Sequence, residues 1–279
     1  MLQQLDVSGE NIQQWSLGQS DHLHAIAIQL VATKSGKLPA SLNRAVHSQV
    51  MTWMNNADAE LSEWIHNTQS SPLSISGLTG RRRKHHVVKP GDEFTLRVGV
   101  LHGDLLPPLM AGLDKWGTEK VVIAKFPFAM KKVCAMPGTH PWVGSSQYSL
   151  LAQTPLTNHE ITLEFKTPTS FKQGKKRIQT FLLPELVFSG LRKRWNAFAP
   201  EHLKIPFVEE WTGFVAAYEL KTHALRMEGG SEKGAQGWVT YQFPDPEQAR
   251  IASILAHFAF FAGVGRKTAM GMGQTRVRS

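Results

Sequence analysis

The segment Gly263-Val264-Gly265-Arg266-Lys267-Thr268-Ala269-Met270-Gly271-Met272-Gly273 lies near the C-terminus, between a predicted helix and a predicted strand. Closely spaced glycines let a backbone adopt positive φ angles and approach a ligand closely. The two adjacent cations suggest that this ligand is a phosphate. A Walker phosphate loop is excluded, because that motif precedes its helix. Taken alone, the glycines fit equally well with a helix end followed by close packing.

The pattern around this segment predicts one supersecondary unit in the second half of the chain. Alternating apolar positions indicate strands, and prolines open the predicted helices. The predicted strands are residues 160–167, 214–220, 237–243 and 272–277, and the predicted helices are 184–195 and 246–261. Their order is strand, helix, two strands, helix and strand.

The first half repeats this order. Strands are predicted at 23–31, 73–78, 94–101 and 121–126, and helices at 42–55, with Ser41 as N-cap, and at 107–117. The expected fold is therefore α+β, with two tandem ferredoxin-like (RRM-like) domains, each βαββαβ with an antiparallel sheet. We place the domains at residues 1–135 and 155–279, with the connection between Pro127 and Pro155. This order alone identifies no function.

Composition limits the possible functions. The chain has 279 residues, of which 42% are hydrophobic, and its single cysteine, Cys134, excludes an internal disulfide framework. No signal peptide or membrane span is evident, so we expect a cytoplasmic protein. The net charge of +9 favours a polyanionic partner such as nucleic acid. The first 21 residues contain no lysine or arginine, so this basicity is local.

Two stretches resemble one known family. The residues FFAGVGRKTAMGMGQ (260–274) resemble the closing glycine-rich motif of the Cas-six family of CRISPR RNA-processing endoribonucleases, in the RAMP superfamily. The residues ITLEFKTPT (161–169) and LPELVFSGLRKRWN (183–196) resemble the family's opening of its second domain. This resemblance implies an enzyme that cuts repeat RNA in the precursor transcript without a metal, by attack of the ribose 2′-hydroxyl to give a cyclic phosphate.

The same resemblance directs attention to a histidine on the first helix of the first domain, and His47 is the match. Helical spacing places Arg44, His47 and Ser48 on one face, away from the predicted core. His47 would act as general base or acid, Arg44 would offset charge on the phosphate, and Ser48 would donate a hydrogen bond. His24 and His66 remain alternatives for the catalytic histidine.

Basic clusters predict where RNA binds. The first runs from Arg81 to His86. The residues expected to contact RNA are Lys172, Lys175, Lys176, Arg177, Arg192, Lys193, Arg194, Gly263, Gly265, Arg266, Lys267, Gly271 and Gly273. The expected partner is the CRISPR repeat stem-loop, with effector-complex subunits as further possible partners. The paired histidines at 22/24 and 85/86 lack acidic or cysteine neighbours at zinc spacing, so we expect no metal and no cofactor.

Two other functions remain compatible with the sequence. A non-catalytic RNA-binding subunit of a CRISPR effector complex could be built from the same domains. An RNA-binding or regulatory protein unrelated to CRISPR is the more distant possibility. The polar face of the first helix favours the enzyme over the non-catalytic subunit.

Overall fold

The computed structural model describes residues 18, 20–80, 86–155, 159–174, 177–227 and 230–278. The first half contains β1 His22–Ala32, β2 Gly36–Lys37, α1 Asn43–Ala57, α2 Ala59–Asn67, β3 Leu73–Ile75, β4 Thr79–Gly80, β5 Val87–Val88, β6 Glu93–Val100, α3 Leu106–Trp116, β7 Val121–Ile123, β8 Phe126–Cys134, β9 Gly144–Gln147 and α4 Tyr148–Ala152. The second half contains β10 Glu160–Thr169, β11 Phe171–Gln173, β12 Arg177–Gln179, α5 Pro184–Phe198, β13 Phe214–Met227, β14 Gly230–Gln242, α6 Pro246–Ala262 and β15 Thr275–Val277.

Both halves form ferredoxin-like sheets. The first sheet has the order β3-β6-β1-β8-β7, with β4 paired to β6 and β9 paired to β1. The second has the order β13-β14-β10-β15. In each sheet the first strand of the βαββαβ unit pairs antiparallel with the third and the fourth. The predicted tandem ferredoxin-like fold is confirmed.

The end of the first unit differs from the prediction. The fourth strand is β8, which pairs with β1, while β7 is a short hairpin arm. The turn between β7 and β8 contains Ala124 and Lys125, both with positive φ. Two such residues are typical of a type I′ hairpin turn, but glycine or asparagine usually marks it in a sequence.

Two other expectations are corrected. The interval from Pro127 to Pro155 is not an open connection, because β8, β9 and α4 occupy most of it. Ser41 does not cap α1, because the N-cap position is Leu42 and no side chain caps this helix end.

Helix α6 joins the two domains. Ten of its residues are buried, which is typical of a helix covered on most sides. It packs against strands of the first sheet as well as against α5 and β10. The contact is close, since a Cβ built at Gly99 on β6 would lie 2.2 Å from the carbonyl oxygen of Phe261. The Ser74 hydroxyl donates to the same oxygen at 2.5 Å. No helix in the described part of the chain is both long and apolar enough to cross a membrane.

Candidate active site and RNA interface

Helix α1 presents the predicted polar face to solvent. Arg44 and Ser48 are exposed and His47 is half-buried. Val46 and Val50, on the other side, are fully buried in the core of the first domain. The burial pattern confirms the two faces that helical spacing predicted. It does not test the roles assigned to the three polar residues.

The His47 imidazole lies in a partly desolvated position beside α2. Burial lowers the pKa of His47 below its ordinary value, and the neighbouring His66 lowers it further. Both effects favour the neutral ring, because charge on the imidazole is poorly solvated and is repelled by a second cation. A neutral imidazole can accept a proton near neutral pH.

The other alternative, His24, is placed differently. It lies near the beginning of β1, opposite Val100 on β6 and Ser145 on β9. Its ring stacks on His22, with centroids 6.1 Å apart. Burial, and then His22, lower the pKa of His24. Its strand partners thus belong to β6 and β9 rather than to α1.

The glycine-rich segment folds back on itself after α6. Gly263, Gly265, Gly271 and Gly273 all have positive φ, as predicted for this segment. The N–H of Val264 donates to the carbonyl of Gly273 at 2.8 Å. A Cβ at Gly273 would lie 2.0 Å from the Val264 oxygen. The positive φ values therefore serve close packing at least as directly as ligand approach.

Exposure separates the four glycines. Gly263, Gly271 and Gly273 are buried against protein atoms, whereas Gly265 is exposed. The expected backbone contact with RNA is thus available only at Gly265 in this structure. The other three shape the segment.

The glycine-rich segment also contacts the first domain. The N–H of Gly271 donates to the carbonyl of Ile75 at 2.9 Å, and the adjoining 3-10 turn Thr268–Met270 packs against β3 and α1. Asn43, at the first position of α1, lies against Gly271. The segment is thereby held beside the helix that carries His47. Sequence reasoning missed Asn43, because nothing local in the chain links it to a residue more than 200 positions away.

The two cations of the segment share one carboxylate. Arg266 Nη1 and Lys267 Nζ each lie 2.5 Å from a different oxygen of Glu232 on β14. The hydrogen bond from Lys267 is the main cause of a lowered Glu232 pKa, and Arg266 lowers it further. The local charge is therefore +1 rather than the +2 that the sequence suggested. Glu232 was not identified from the sequence.

The three basic residues of α5 have different environments. Lys193 is exposed. The Arg192 guanidinium lies over the exposed ring of Phe207, 5.2 Å from its centroid. Arg194 instead points into the domain junction, so its predicted RNA contact is corrected.

The Arg194 guanidinium bridges the two domains. Nη1 donates to the Ala262 carbonyl and, at 2.6 Å, to the Thr268 hydroxyl. Nη2 donates to the carbonyls of Ser71 and Leu73 at 3.1 and 2.8 Å. Burial lowers the pKa of Arg194 to about 10, which leaves it charged at neutral pH. Because the Nη1 and Nη2 groups of Arg194 donate to these protein oxygens, they are not available to donate to RNA phosphates.

The β11–β12 hairpin carries part of the second basic cluster. Lys172 and Arg177 are exposed on its two strands. Lys175 and Lys176 lie outside the described residues, as do Arg81 to His85 of the first cluster. The hairpin thus supplies at least two cations, and it begins beside Ser170, whose carbonyl accepts from the N–H of Arg266 at 3.0 Å.

A basic groove was not found from the sequence. Its volume is about 640 Å³, and its lining includes Lys37 and His86 from the first domain and Arg226 from the end of β13. Lys267 lies near the end of the same strand, since Nζ is 3.8 Å from the sulfur of Met227. These residues are far apart in the chain, so only the fold reveals the groove. Among the described residues, no group of three or more His, Cys, Asp or Glu side chains could hold a metal ion.

Comparison with known proteins agrees with this architecture. The family model for the CRISPR-associated endoribonuclease Cas6 matches residues 163–275, which include the glycine-rich segment. A Cas6 endoribonuclease from Streptococcus thermophilus is 21% identical over 230 residues, covering 79% of this chain and 86% of the relative. A solved Cas6 product complex is 28% identical, covers 92% of this chain and 100% of its own, and superposes with a TM-score of 0.74.

The second half of this chain therefore resembles Cas6 proteins in sequence, and nearly the whole chain resembles them in fold. The matched model describes the same Cas-six family that the motifs resemble. The fold similarity extends to Thermus thermophilus Cas6, which is 23% identical, covers 94% of this chain and 100% of its own, and has a TM-score of 0.70.

Proposed function

We propose that this protein is a Cas6 endoribonuclease that binds CRISPR repeat RNA in the cytoplasm and cleaves it in the precursor transcript, releasing guide RNAs. Cleavage proceeds without a metal ion, and the ribose 2′-hydroxyl is the nucleophile. The observation that carries the proposal is the position of His47 on the solvent-facing side of α1, with Arg44 and Ser48 beside it. The glycine-rich segment adjoins the start of the same helix.

The chemistry requires a base, an acid and a cation. A proton passes from the 2′-hydroxyl to a neutral imidazole as the 2′-oxygen attacks phosphorus. The bond from phosphorus to the 5′-oxygen breaks, and this oxygen receives a proton. The products are a 2′,3′-cyclic phosphate and a 5′-hydroxyl. His47 suits the base because burial favours its neutral form. Arg44 would offset the charge that builds on the phosphate, and Ser48 would donate a hydrogen bond.

The basic surfaces supply the RNA contacts in this proposal. Lys172, Arg177 and Lys193 are exposed, and the groove lined by Lys37 and Arg226 opens between the domains. Lys175 and Lys176 would extend the track. Contacts to phosphates suit an A-form stem, whose deep, narrow major groove side chains cannot read. Subunits of an effector complex would then receive the processed RNA.

Related structures favour the same substrate. Two solved Cas6 structures, 28% and 27% identical to this chain, are a product complex and a substrate mimic complex. A third, 26% identical, is a histidine-to-alanine mutant of the same protein. All three are structures of that one relative. They support the choice of RNA as substrate and of a histidine as the residue to test.

The test is incubation of the purified protein with repeat RNA from its own CRISPR array in excess chelator. We expect one cut per repeat, with a 2′,3′-cyclic phosphate on the upstream fragment. Cleavage that disappears on chelation would contradict the metal-independent step. Tight binding with the RNA left intact would support the non-catalytic subunit and overturn the proposal.

A further inference from the structure

Helices α1 and α2 form a hairpin whose register can be read from one hydrogen bond. They are separated only by Asp58, whose side chain accepts from the N–H of Leu61 at 2.9 Å and caps α2. The Ser62 hydroxyl on α2 reaches the carbonyl of Met51 on α1 at 3.4 Å. Because the two helices run in opposite directions, moving four residues back along one corresponds to moving four forward along the other.

This register brings two histidines together. Four residues before Met51 is His47, and four residues after Ser62 is His66. Residues four apart in a helix lie on the same face, one turn away. The two imidazoles therefore lie on the same side of the hairpin, one turn along from the Met51–Ser62 contact. The effect of His66 on the pKa of His47 agrees with this proximity.

The same face of the hairpin contains a concavity. Its volume is about 380 Å³, and it is lined by Met51 and Asn55 from α1 and by Ser62, Glu63 and His66 from α2. Such a volume lies in the range of small-ligand sites. The lining combines amide, hydroxyl, carboxylate and imidazole groups with the flexible side chain of Met51. The concavity therefore places the His66 imidazole at a surface able to seat a nucleotide.

We propose that His66 is the second proton-transfer residue of the cleavage reaction and works opposite His47 across the α1–α2 hairpin. This inference rests on the proposed function. His47, which is half-buried, takes the proton of the 2′-hydroxyl. His66, which is exposed, gives a proton to the departing 5′-oxygen. Each turnover leaves His47 protonated and His66 neutral, and exchange with water restores both.

Other charged groups belong to the elements packed around this pair. They are Arg44 on α1, Glu60 and Glu63 on α2, Asp114 and Lys115 on α3, and Lys267 before the 3-10 turn. Lys115 is engaged with the carbonyl of Asn56, near the far end of α1. Glu63 lines the concavity together with His66. An acid in His66 and a base in His47 predict a bell-shaped dependence of the cleavage rate on pH.

Single-turnover cleavage of repeat RNA by His66→Ala and His66→Gln tests the assignment, with His202→Ala as the control. His202 is an exposed histidine in the 3-10 turn Glu201–Leu203, outside the site. We expect the His66 variants to cut about 100-fold more slowly while binding RNA normally. The cleavage rate of these variants should also no longer fall at high pH. The double variant with His47→Ala should be no slower than the slower single variant, because the pair acts as a unit.

A modified substrate separates an acid from a merely structural residue. Sulfur in place of the bridging 5′-oxygen leaves without needing a proton. It should restore cleavage by His66→Ala but not by His47→Ala. A His66→Ala protein that cuts at the wild-type rate, or whose defect the sulfur substrate does not relieve, would overturn this inference alone. A wild-type protein that never cuts repeat RNA would overturn the proposed function and this inference with it.

Discussion

The side-chain amide of Asn43 lies against Gly271 and connects the glycine-rich segment to the helix that carries His47. A Cβ built at Gly271 would lie 3.0 Å from both Cγ and Nδ2 of Asn43. Asn43 is buried at the first position of α1. The contact therefore helps to set the position of the second domain relative to the proposed catalytic face.

Gly271→Ala is expected to weaken both stability and cleavage. The φ angle of 85° would cost an alanine about 1–3 kcal/mol, and the new Cβ would press on Asn43. Gly138→Ala is the matched control, because Gly138 has a φ of 84° and no atom near its Cβ position. Denaturant unfolding and single-turnover cleavage measure both effects. Equal cleavage rates in the two variants would contradict a role for the Asn43 contact.

Arg194→Ala should destabilise the protein strongly. It would remove a donor from the carbonyls of Ser71, Leu73 and Ala262, of which Leu73 still accepts from the Ser71 hydroxyl, and each buried group left unpaired costs about 1–3 kcal/mol. We expect a loss of at least about 3 kcal/mol in the free energy of unfolding. Arg192→Ala is the control, since that guanidinium lies on an exposed ring. If the two variants are equally stable, Arg194 does not hold the domains together.

The contrast between Arg192 and Arg194 shows the limit of the sequence. Both belong to a run of three basic residues, and only the packing of α5 against the junction reveals that one is enclosed. Apolar periodicity did predict both βαββαβ units, because it reflects which side of each element faces a core. The β7–β8 turn was missed because Ala124 and Lys125 carry positive φ without the usual glycine. The groove beside Arg226 depends on contacts between distant residues, which local patterns do not encode.

Stability should fall as the solution becomes mildly acidic. Burial is the main cause of the lowered pKa values of His24, His47, His102 and His140. Below about pH 6.5 the unfolded chain binds protons that the folded protein does not, so protonation favours unfolding. The stabilisation that the neutral imidazoles give the folded protein is fully present above about pH 6.5. It is lost progressively as the pH falls from there through the lower pKa values of the folded state.

Urea unfolding between pH 7.5 and 5.0 measures this effect. His47→Gln should show a shallower loss than the wild type, because one of the four groups no longer titrates. A midpoint that is constant or rises as the pH falls through this range would contradict the burial of these imidazoles.

Glu232→Gln should strengthen RNA binding. Removing the carboxylate releases Arg266 and Lys267 from their ion pairs and makes both cations available to phosphates. The apparent affinity for RNA should rise roughly several-fold at low salt. It should also fall more steeply as the salt concentration increases. Glu247→Gln, which breaks the exposed pair with Arg250 on α6, is the control. Weaker binding by Glu232→Gln alone would mean that Glu232 holds the segment in shape rather than competing with RNA.

The most direct test of this account is the single-turnover cleavage rate of His47→Ala on the protein's own repeat RNA, compared with wild type and His202→Ala. We predict a rate at least about 100-fold below wild type for His47→Ala, with unchanged RNA affinity, and a normal rate for His202→Ala. Cleavage by His47→Ala at the wild-type rate would contradict the assignment of the reaction to the polar face of α1.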